Sequence, residues 1–571
     1  MSTHGRKTEE CRTTGAGSAA GASGSATATA SIEGAVTLPY VSDETTESAK
    51  RGPDVSGRDR MAWNVFTSWA GYIVFIVAGF VLPRFIDRHV SQAGLGVWDF
   101  AWSVISYFGL AQVGMGSTVN RYVAQYRSER DMARLNAAVS SVAYVLLGVG
   151  LFVAVLSIGA AYAVPWMLKK ELADFVSDAR WVVLLLGLSL AFQQATDVYN
   201  GILTGCHRWD LHNAIHCGVY AVQAVAQIVA LVLGGGLKAM AVVTLAGMVV
   251  SQTARIIACR RVCPELEIAW RHVSLSATRQ QVMFGGKTFV PRLAEIVMDQ
   301  ATSLLIVPSL GPAALAIFSR PKGLIRHVST LVGKFSYILT PTAGSLHATG
   351  DRKELARMLT RTTRFGAYMA LPMVLMLVVL GGPILTVWMG AAYARHGEGG
   401  LICAVMALGN LMTIAQLPVI SILQGMNAHG RPGLAKLVAS VGCLALAWVT
   451  MFKFDMGLLG AAISVTVPLA LSDGLYVPWH ACRELGLSFG RYLFDVWRGP
   501  IVAALPFVGV LLLGRYGWMT QVNIYTLAET ALAAGAVLAA TYWVWVLPPS
   551  AKERAWAILA RLRGRMARSG R

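Results

Sequence analysis

The chain has 571 residues, of which 55% are hydrophobic and only 14% charged, and its formal net charge is +19. A soluble protein of this length carries roughly 25% charged residues, so the mean hydropathy of +0.54 indicates a polytopic membrane protein instead. The positive charge does not indicate a nucleic-acid partner, because most Lys and Arg residues lie between apolar runs or in the C-terminal tail, where the positive-inside rule accounts for them.

Residues 1–60 are rich in Gly, Ala, Ser and Thr and contain no apolar run. Such a composition buries too little apolar surface to offset the entropy lost on ordering, so a disordered cytoplasmic tail is predicted. Because no apolar segment follows its early basic residues, this stretch does not have the pattern of a signal peptide.

About fourteen apolar runs follow, each near the roughly 20 residues that a membrane-spanning helix needs. Basic residues such as Arg127, Arg260, Arg357 and Arg491 are concentrated in loops after even-numbered runs. This bias predicts that both termini lie in the cytoplasm. The runs lie near residues 62–83, 93–115, 137–165, 180–203, 212–234, 238–258, 283–307, 313–338, 364–388, 400–424, 433–452, 457–480, 499–514 and 524–547.

An internal repeat with an interval of about 220 residues divides these runs into two sets. Gly201-Ile-Leu-Thr-Gly205 matches Ser421-Ile-Leu-Gln-Gly425, residues 164–167 match 386–389, and residues 129–135 resemble 350–358. Six runs fit in the interval, and an even number makes the two copies parallel, which is a transporter layout.

We therefore predict an all-α polytopic membrane protein with two parallel six-helix lobes around a central cavity and two extra C-terminal helices. The predicted domains are a disordered cytoplasmic tail (1–60), an N-lobe (61–260), a cytoplasmic linker (261–282), a C-lobe (283–482), two extra helices (483–550) and a basic cytoplasmic tail (551–571). In that last tail, Trp556, Leu559, Leu562 and Met566 share one helical face. Either an amphipathic helix on anionic lipid or a solvated basic tail fits this pattern.

The seventh and eighth runs form a charged hairpin, joined by a tight turn at Pro308-Ser-Leu-Gly-Pro312. An ionisable side chain costs about 2.5–3.5 kcal/mol at a helix centre, so such residues face a bundle interior or a wet cavity. On the seventh run, Arg292, Glu295 and Asp299 form one helical stripe. The eighth run carries cations on two faces, with Arg320, His327 and Lys334 on one and Lys322 and Arg326 on the other.

Two interpretations of these charges are open. They could line a cationic cavity that binds phosphate or pyrophosphate, since Arg and Lys bind phosphate oxygens well. They could instead form ion pairs with Glu295, Asp299 and Asp99 that lock the bundle. The candidate cavity cations are Arg292, Arg320, Arg326, Lys334 and Arg84, and the candidate coupling or cavity carboxylates are Glu295, Asp299, Asp99 and Asp197; Asp473 stands alone on the twelfth run.

Other chemistry has little support in the sequence. The eight cysteines are scattered, and Cys259 and Cys263 lack a second ligand pair, so no metal site is indicated. No nucleotide-binding signature is present, and no cofactor is predicted. The non-cytoplasmic loops are short and leave little room for a catalytic domain, which favours a transporter over an enzyme.

Several segments in a fixed order resemble a known family. They are Gly79-Phe-Val-Leu-Pro83, Gly94-Leu-Gly-Val-Trp98, Gly114-Met-Gly-Ser-Thr-Val-Asn-Arg-Tyr122 with Asp131 after it, Asp299 followed by Leu310-Gly311, Pro341, Asp351 and Pro383-Ile-Leu-Thr-Val-Trp-Met-Gly390. Over residues 62–480 the chain resembles the polysaccharide biosynthesis proteins, bacterial flippases for lipid-linked oligosaccharides of O-antigen and exopolysaccharide. These belong to the same superfamily as the multidrug and toxic-compound extruders and the lipid II flippases.

The resemblance implies alternating access by two six-helix lobes in the bacterial inner membrane. It implies that an undecaprenyl-pyrophosphate-linked oligosaccharide moves to the periplasmic leaflet, with membrane lipids and the polymerase and export machinery of the pathway as further partners. A lipid II flippase and a cation-coupled multidrug extruder are alternatives on the same fold. A membrane polymerase or ligase is an alternative from another class.

Overall fold

The computed structural model describes residues 61–112, 115–167, 173–393 and 398–550, together with 552, 553 and 556. Every long regular element in these ranges is a helix, which confirms the all-α prediction. The predicted N-terminal tail and most of the C-terminal tail lie outside the described residues. The helices are α1 (Met61–His89), α2 (Gln92–Phe108), α3 (Met115–Glu129), α4 (Met132–Met167), α5 (Ala173–Thr196), α6 (Val198–Gly205), α7 (Trp209–Val232), α8 (Gly236–Val262), α9 (Leu275–Leu310), α10 (Pro312–Tyr337), α11 (Leu339–Ala348), α12 (Arg352–Met389), α13 (Glu398–Ala415), α14 (Leu417–Gly425), α15 (Gly430–Trp448), α16 (Gly457–Leu469), α17 (Val477–Leu485), α18 (Phe489–Leu513) and α19 (Ile524–Thr541).

Eleven helical segments in the described part of the chain are long and apolar enough to cross a membrane, judged by length and composition. The chain is therefore a multi-pass membrane protein. The predicted first, second and eighth spans fall on α1, α2 and α10, which are not among the eleven. Helix α2 has only 17 residues, and α10 carries Arg320, Lys322, Arg326 and Lys334. The count of about fourteen spans stays a prediction.

Two spans that the sequence presented as continuous are broken in the structure. The fourth divides at Asp197 into α5 and α6, and the tenth divides at Gln416 into α13 and α14. In the second case Pro418 follows the break, and a proline has no N–H for the bond that would continue the helix. Hydropathy alone could not reveal either break, because both flanks are apolar.

The internal repeat extends to the geometry of the turns. Left-handed backbone occurs at Arg130 and at Gly350, 220 residues further on, and again at His207 and Asn427 with the same interval. In the first of these two pairs, the residue that follows each turn caps the next helix. Asp131 Oδ1 accepts a 3.0 Å hydrogen bond from the Arg134 amide, and Asp351 Oδ1 accepts one of the same length from the Glu354 amide. Residues 61–262 and 275–485, called the first and second halves below, thus have the same sequence of turns and helix caps. The predicted lobe limits stay predictions.

A glycine contact is also repeated. A Cβ atom added to Gly205 would lie 2.7 Å from Val123 Cβ, and one added to Gly425 would lie 2.4 Å from the Thr340 carbonyl oxygen. These glycines let α6 pack closely on α3 and α14 on α11. The matching Gly201–Gly205 and Ser421–Gly425 segments therefore have a steric reason for their shared final residue.

The chain reverses direction between α9 and α10 as the sequence predicted. Gly311 has φ +86°, a backbone conformation that glycine adopts readily, and Pro312 is the first residue of α10. We call this end of the bundle the hairpin end. The opposite end, where α8 ends and α9 begins, is the linker end.

The predicted linker, residues 261–282, contains the non-helical connection between the two halves, because α8 ends at Val262 and α9 begins at Leu275. The limits of the linker stay a prediction. Within it Arg271 donates a hydrogen bond to Glu267, which lowers the pKa of that exposed carboxyl below its ordinary value.

The two halves meet most closely where α2 crosses the start of α10. A Cβ atom added to Gly96 would lie only 1.7 Å from the carbonyl oxygen of Pro312. Helix α2 also packs on α9, and α1 packs on α12. These contacts place α2, α9 and α10 around the charged hairpin residues.

Candidate functional site

Two adjoining cavities contain most of the charged hairpin residues. The central cavity, of about 500 Å³, lies between the halves and is lined by α2, the 3-10 turn at Gly109–Gln112, α5 and α9. The side cavity, of about 250 Å³, is lined by helices of the second half, namely α9, α10, α13, α15 and α16. Glu295 and Asp299 line both, so we treat the two as one charged cavity.

Asp299 holds two cations of α10 in this cavity. Its Oδ1 lies 2.9 Å from Lys322 Nζ, and its Oδ2 lies 3.1 Å from Arg326 Nη2. The Lys322 side chain is only 16% exposed, whereas that of Arg326 is 57% exposed. Lys322 is therefore a fixed partner of Asp299, and Arg326 is open to exchange its partner.

Arg292 and Glu295 form a second, looser pair on α9. Arg292 Nη1 lies 2.9 Å from Glu295 Oε2, and the two side chains are 64% and 49% exposed. An exposed pair of this kind contributes about 0–1 kcal/mol. Its guanidinium can consequently leave the carboxylate for another anion at little cost.

Lys436 of α15 adds a cation that the candidate set did not contain. It lines the side cavity, and its Nζ lies 3.1 Å from Oδ2 of Asp473, whose side chain is 4% exposed. The sequence contained a signal for Lys436, since a lysine inside an apolar span costs free energy unless it has a partner or a function. Lys322 is a second such residue, because the sequence analysis places it on the eighth run but does not include it among the candidate cavity cations.

Arg320 lies elsewhere. It forms an ion pair with Asp99 of α2, and the two side chains are 7% and 18% exposed. Neither residue lines the two cavities. For Arg320, therefore, the structure shows the second of the two interpretations, an ion pair with Asp99 that joins the two halves.

Lys334 also contacts the first half, through aromatic rings of α1. Its Nζ lies 4.0 Å from the ring centroid of Tyr72 and 4.7 Å from that of Trp69. Such cation–π contacts contribute about 0.5–2 kcal/mol. Lys334 is near the linker end, because it lies in the last turn of α10.

Contacts between α1 and the end of α12 close the hairpin end. Trp388 Nε1 donates a 2.7 Å hydrogen bond to the Phe80 carbonyl, and the Tyr393 hydroxyl donates one of 2.7 Å to Asp87 Oδ1. Arg84 lies in the same place, with Nη1 3.1 Å from where a Cβ on Gly390 would be. Arg84 is thus part of this closure, while the charged cavity lies nearer the linker end.

Asp197 is buried where α5 meets α6. It accepts hydrogen bonds from Asn200, at 3.3 Å, and from Gln112. Gln112 lines the central cavity, so Asp197 does not line the cavity itself but contacts a residue that does. Within the described residues, no group of three or more His, Cys, Asp and Glu side chains could hold a metal ion.

Two bacterial membrane proteins are similar in sequence to most of this chain. The chain is 20% identical over 450 residues to "Uncharacterized membrane protein EpsK" of Bacillus subtilis (strain 168), which covers 77% of this chain and 87% of that protein. It is 22% identical over 418 residues to "Putative O-antigen transporter" of Shigella flexneri, which covers 73% of this chain and 96% of that protein.

Several solved structures share the fold, two of which illustrate the range of the match. "Lipid II flippase MurJ, inward closed conformation" has a TM-score of 0.63 at 13% identity and covers 84% of this chain and 98% of its own. An inward-facing multidrug resistance MATE family transporter of the MOP superfamily has a TM-score of 0.60 at 14% identity, with 74% and 95% coverage. The family described as "Polysaccharide biosynthesis protein" matches residues 85–396, more than half of the sequence, and the chain therefore belongs to that family.

Proposed function

We propose that the protein moves an undecaprenyl-pyrophosphate-linked oligosaccharide repeat unit across the bacterial inner membrane for polysaccharide export. Membership of the polysaccharide biosynthesis family supports this proposal, as does the name of the Shigella relative. The fold shared with a lipid II flippase supports movement of a lipid-linked sugar. Polymerase and export machinery of the same pathway would receive the product.

The observation that carries the proposal is the charge of the cavity. Its lining includes the cations Arg292, Lys322, Arg326 and Lys436 against the carboxylates Glu295 and Asp299. A diphosphate is a strong acceptor, and the planar guanidinium of arginine matches it in two parallel hydrogen bonds. In our proposal Arg326 and Arg292 exchange their carboxylates for the diphosphate, while Lys322 and Lys436 stay paired with Asp299 and Asp473.

Arg320, Lys334 and Arg84 have a different part in this proposal. Each contacts the opposite half or its closure, through Asp99, the rings of Tyr72 and Trp69, or Gly390. Alternating access requires such contacts to form on one side and break on the other. Arg320 and Arg84, which lie towards the hairpin end, would therefore stabilise the state in which that end is closed, whereas Lys334 would hold the halves together near the linker end.

In this proposal the linker end faces the cytoplasm, as both termini do, because the loops at that end carry the basic residues. The hairpin end would then face the periplasm. On this orientation the structure corresponds to a state that is closed to the periplasm, with its cavity nearer the cytoplasmic side. Substrate would enter there and leave after the α1–α12 contacts separate.

Polymer export from a deletion strain carrying plasmid-borne variants tests the proposal. Arg326→Gln and Arg292→Gln each remove charge-assisted hydrogen bonds of about 1.5–3 kcal/mol, so each should weaken substrate binding roughly 10- to 150-fold and lower export. Arg357→Gln is the matched control, since Arg357 pairs with Glu354 at 2.9 Å and three residues' spacing, as Arg292 does with Glu295, but outside the cavity. Full export by the double Arg292→Gln, Arg326→Gln variant at normal expression would sink the proposal.

The alternatives differ in what the deletion strain shows. Loss of this flippase traps lipid-linked oligosaccharide in the cytoplasmic leaflet, whereas loss of a polymerase or ligase leaves it in the periplasmic leaflet. A lipid II flippase without a substitute would be essential for growth. A multidrug extruder would reveal itself by drug susceptibility with normal polymer export.

A further inference from the structure

An apolar groove runs along the outer surface of α15 and α16, away from the charged cavity. Its volume is about 810 Å³, and its walls include Leu434, Val438, Gly442 and Leu446 of α15 with Val467 and Leu471 opposite. Leu434, Val438 and Leu471 are 61%, 66% and 59% exposed. The α15 wall reaches from residue 431 to 449, about 27 Å at 1.5 Å per residue, which is close to the thickness of the hydrocarbon core.

The groove has a cation at one end. Arg431 lines it at the linker end, together with Tyr476. The Arg431 side chain is exposed, and no ion pair joins it to any other residue that the structure describes. An amphiphile with an apolar chain and an anionic head would match this distribution.

Only one layer of helices separates the groove from the side cavity. On α15, Ala435 lines the groove and the next residue, Lys436, lines the cavity. The Lys436–Asp473 ion pair joins α15 to the π-helical segment Ala470–Tyr476 within this wall. Leu471 and Ser472 of that segment face the groove. Such π-helical turns are frequent at functional sites.

We propose that this groove holds the polyprenyl tail of the lipid-linked substrate while its diphosphate lies in the charged cavity. The inference rests on the proposed function and deepens it. The head group and tail of one molecule need a polar and an apolar site close together, and the groove and side cavity share a wall. Arg431 makes the first contact with the phosphate at the linker end, before the head group reaches Lys436.

Gly442 allows the groove to be filled without distorting the helix. A Cβ atom there would meet nothing within 4 Å, so Gly442→Phe projects a ring into open space. Gly148→Phe is the matched control, since Gly148 of α4 is equally open and lies on the first half.

Purified full-length protein is titrated with undecaprenyl diphosphate and the complex measured by native mass spectrometry. We expect Gly442→Phe to weaken binding about tenfold or more, and Gly148→Phe to bind like the parent. Phosphatidylglycerol at the same concentration should not displace the probe. Unchanged binding by Gly442→Phe, or displacement by phosphatidylglycerol, would show that the groove holds ordinary membrane lipid and overturn the inference.

Photolabelling of the unmodified protein gives a test that does not depend on any variant folding. A diazirine placed on the probe's tail should label residues 431–449 and 467–476 above all other lipid-facing helices, and even labelling of all helices refutes the inference. Export separates the two proposals. Normal export without groove labelling overturns only the inference, whereas groove labelling in a protein whose deletion leaves export intact overturns the proposed function.

Discussion

Arg320 of α10 and Asp99 of α2 form the one ion pair that joins the two halves within the described ranges, and both side chains are largely buried. All other ion pairs in those ranges lie within one half or within the linker between the halves. The pair lies beside the glycine contact between Gly96 and Pro312. Charge and close packing therefore fix the same helix crossing.

Removing one partner of this pair should cost more than removing both. Asp99→Ala leaves Arg320 buried without a counter-ion, and breaking a buried pair in this way costs about 3–5 kcal/mol. The double variant Asp99→Asn, Arg320→Met replaces both charges and should recover most of that loss. The midpoint of heat-induced unfolding in detergent measures it, and equal midpoints for the single and double variants would contradict the prediction.

Asp299→Asn should tighten binding of inorganic pyrophosphate and slow export. The carboxylate of Asp299 competes with an incoming anion for Lys322 and Arg326. Without it the anion binds more strongly and leaves more slowly. Calorimetric titration of the purified protein gives the affinity, with Glu354→Gln outside the cavity as control. Weaker pyrophosphate binding by Asp299→Asn is the contrary result.

Trp388→Phe and Tyr393→Phe should open the hairpin end. Each removes one hydrogen bond between α12 or the turn after it and α1, and the bond from Tyr393 to the Asp87 carboxylate is of the charged type, contributing about 1.5–3 kcal/mol. A cysteine placed at position 84 should then react faster with a membrane-impermeant maleimide added from the periplasm. Tyr525→Phe is the control, since Tyr525 is 81% exposed. Unchanged reaction rates would show that these bonds do not hold the closure.

The paired glycines should be equally intolerant of a side chain. Gly205→Ala and Gly425→Ala each force a methyl group against the neighbouring short helix, and overpacking of this kind costs about 1–3 kcal/mol. Gly148→Ala, which meets nothing within 4 Å, should leave the unfolding midpoint unchanged or raise it. A tolerated Gly425→Ala would mean that α11 and α14 can separate.

The helices and the hairpin turn could be predicted because their causes are local. Apolar length identifies most spans, and Gly311 with Pro312 marks the reversal. The repeat was visible for the same reason, since turn and packing residues recur at a fixed interval. The breaks at Asp197 and Gln416 were not visible, because hydropathy does not change across them.

The partner of each charged side chain could not be predicted from the sequence, because it depends on which helix packs against each face of α10. The heptad spacing of Arg320, His327 and Lys334 grouped them on one face of α10. In the structure Arg320 contacts α2 and Lys334 contacts α1, while Lys322 and Arg326 face the cavity. Lys436 was missed because its span was identified by apolar length, and the partly buried lysine inside it was not weighed.

The 220-residue interval that relates the turns does not extend to the charges. It places Trp102 and Ser106 in the positions of Lys322 and Arg326, and both of these uncharged residues line the central cavity. All four cations that line the charged cavity belong to the second half, so in the proposed transport cycle only that half attracts the anion. A bound diphosphate is therefore expected to travel with the second half through the whole cycle, with the first half acting as a neutral wall that slides past it.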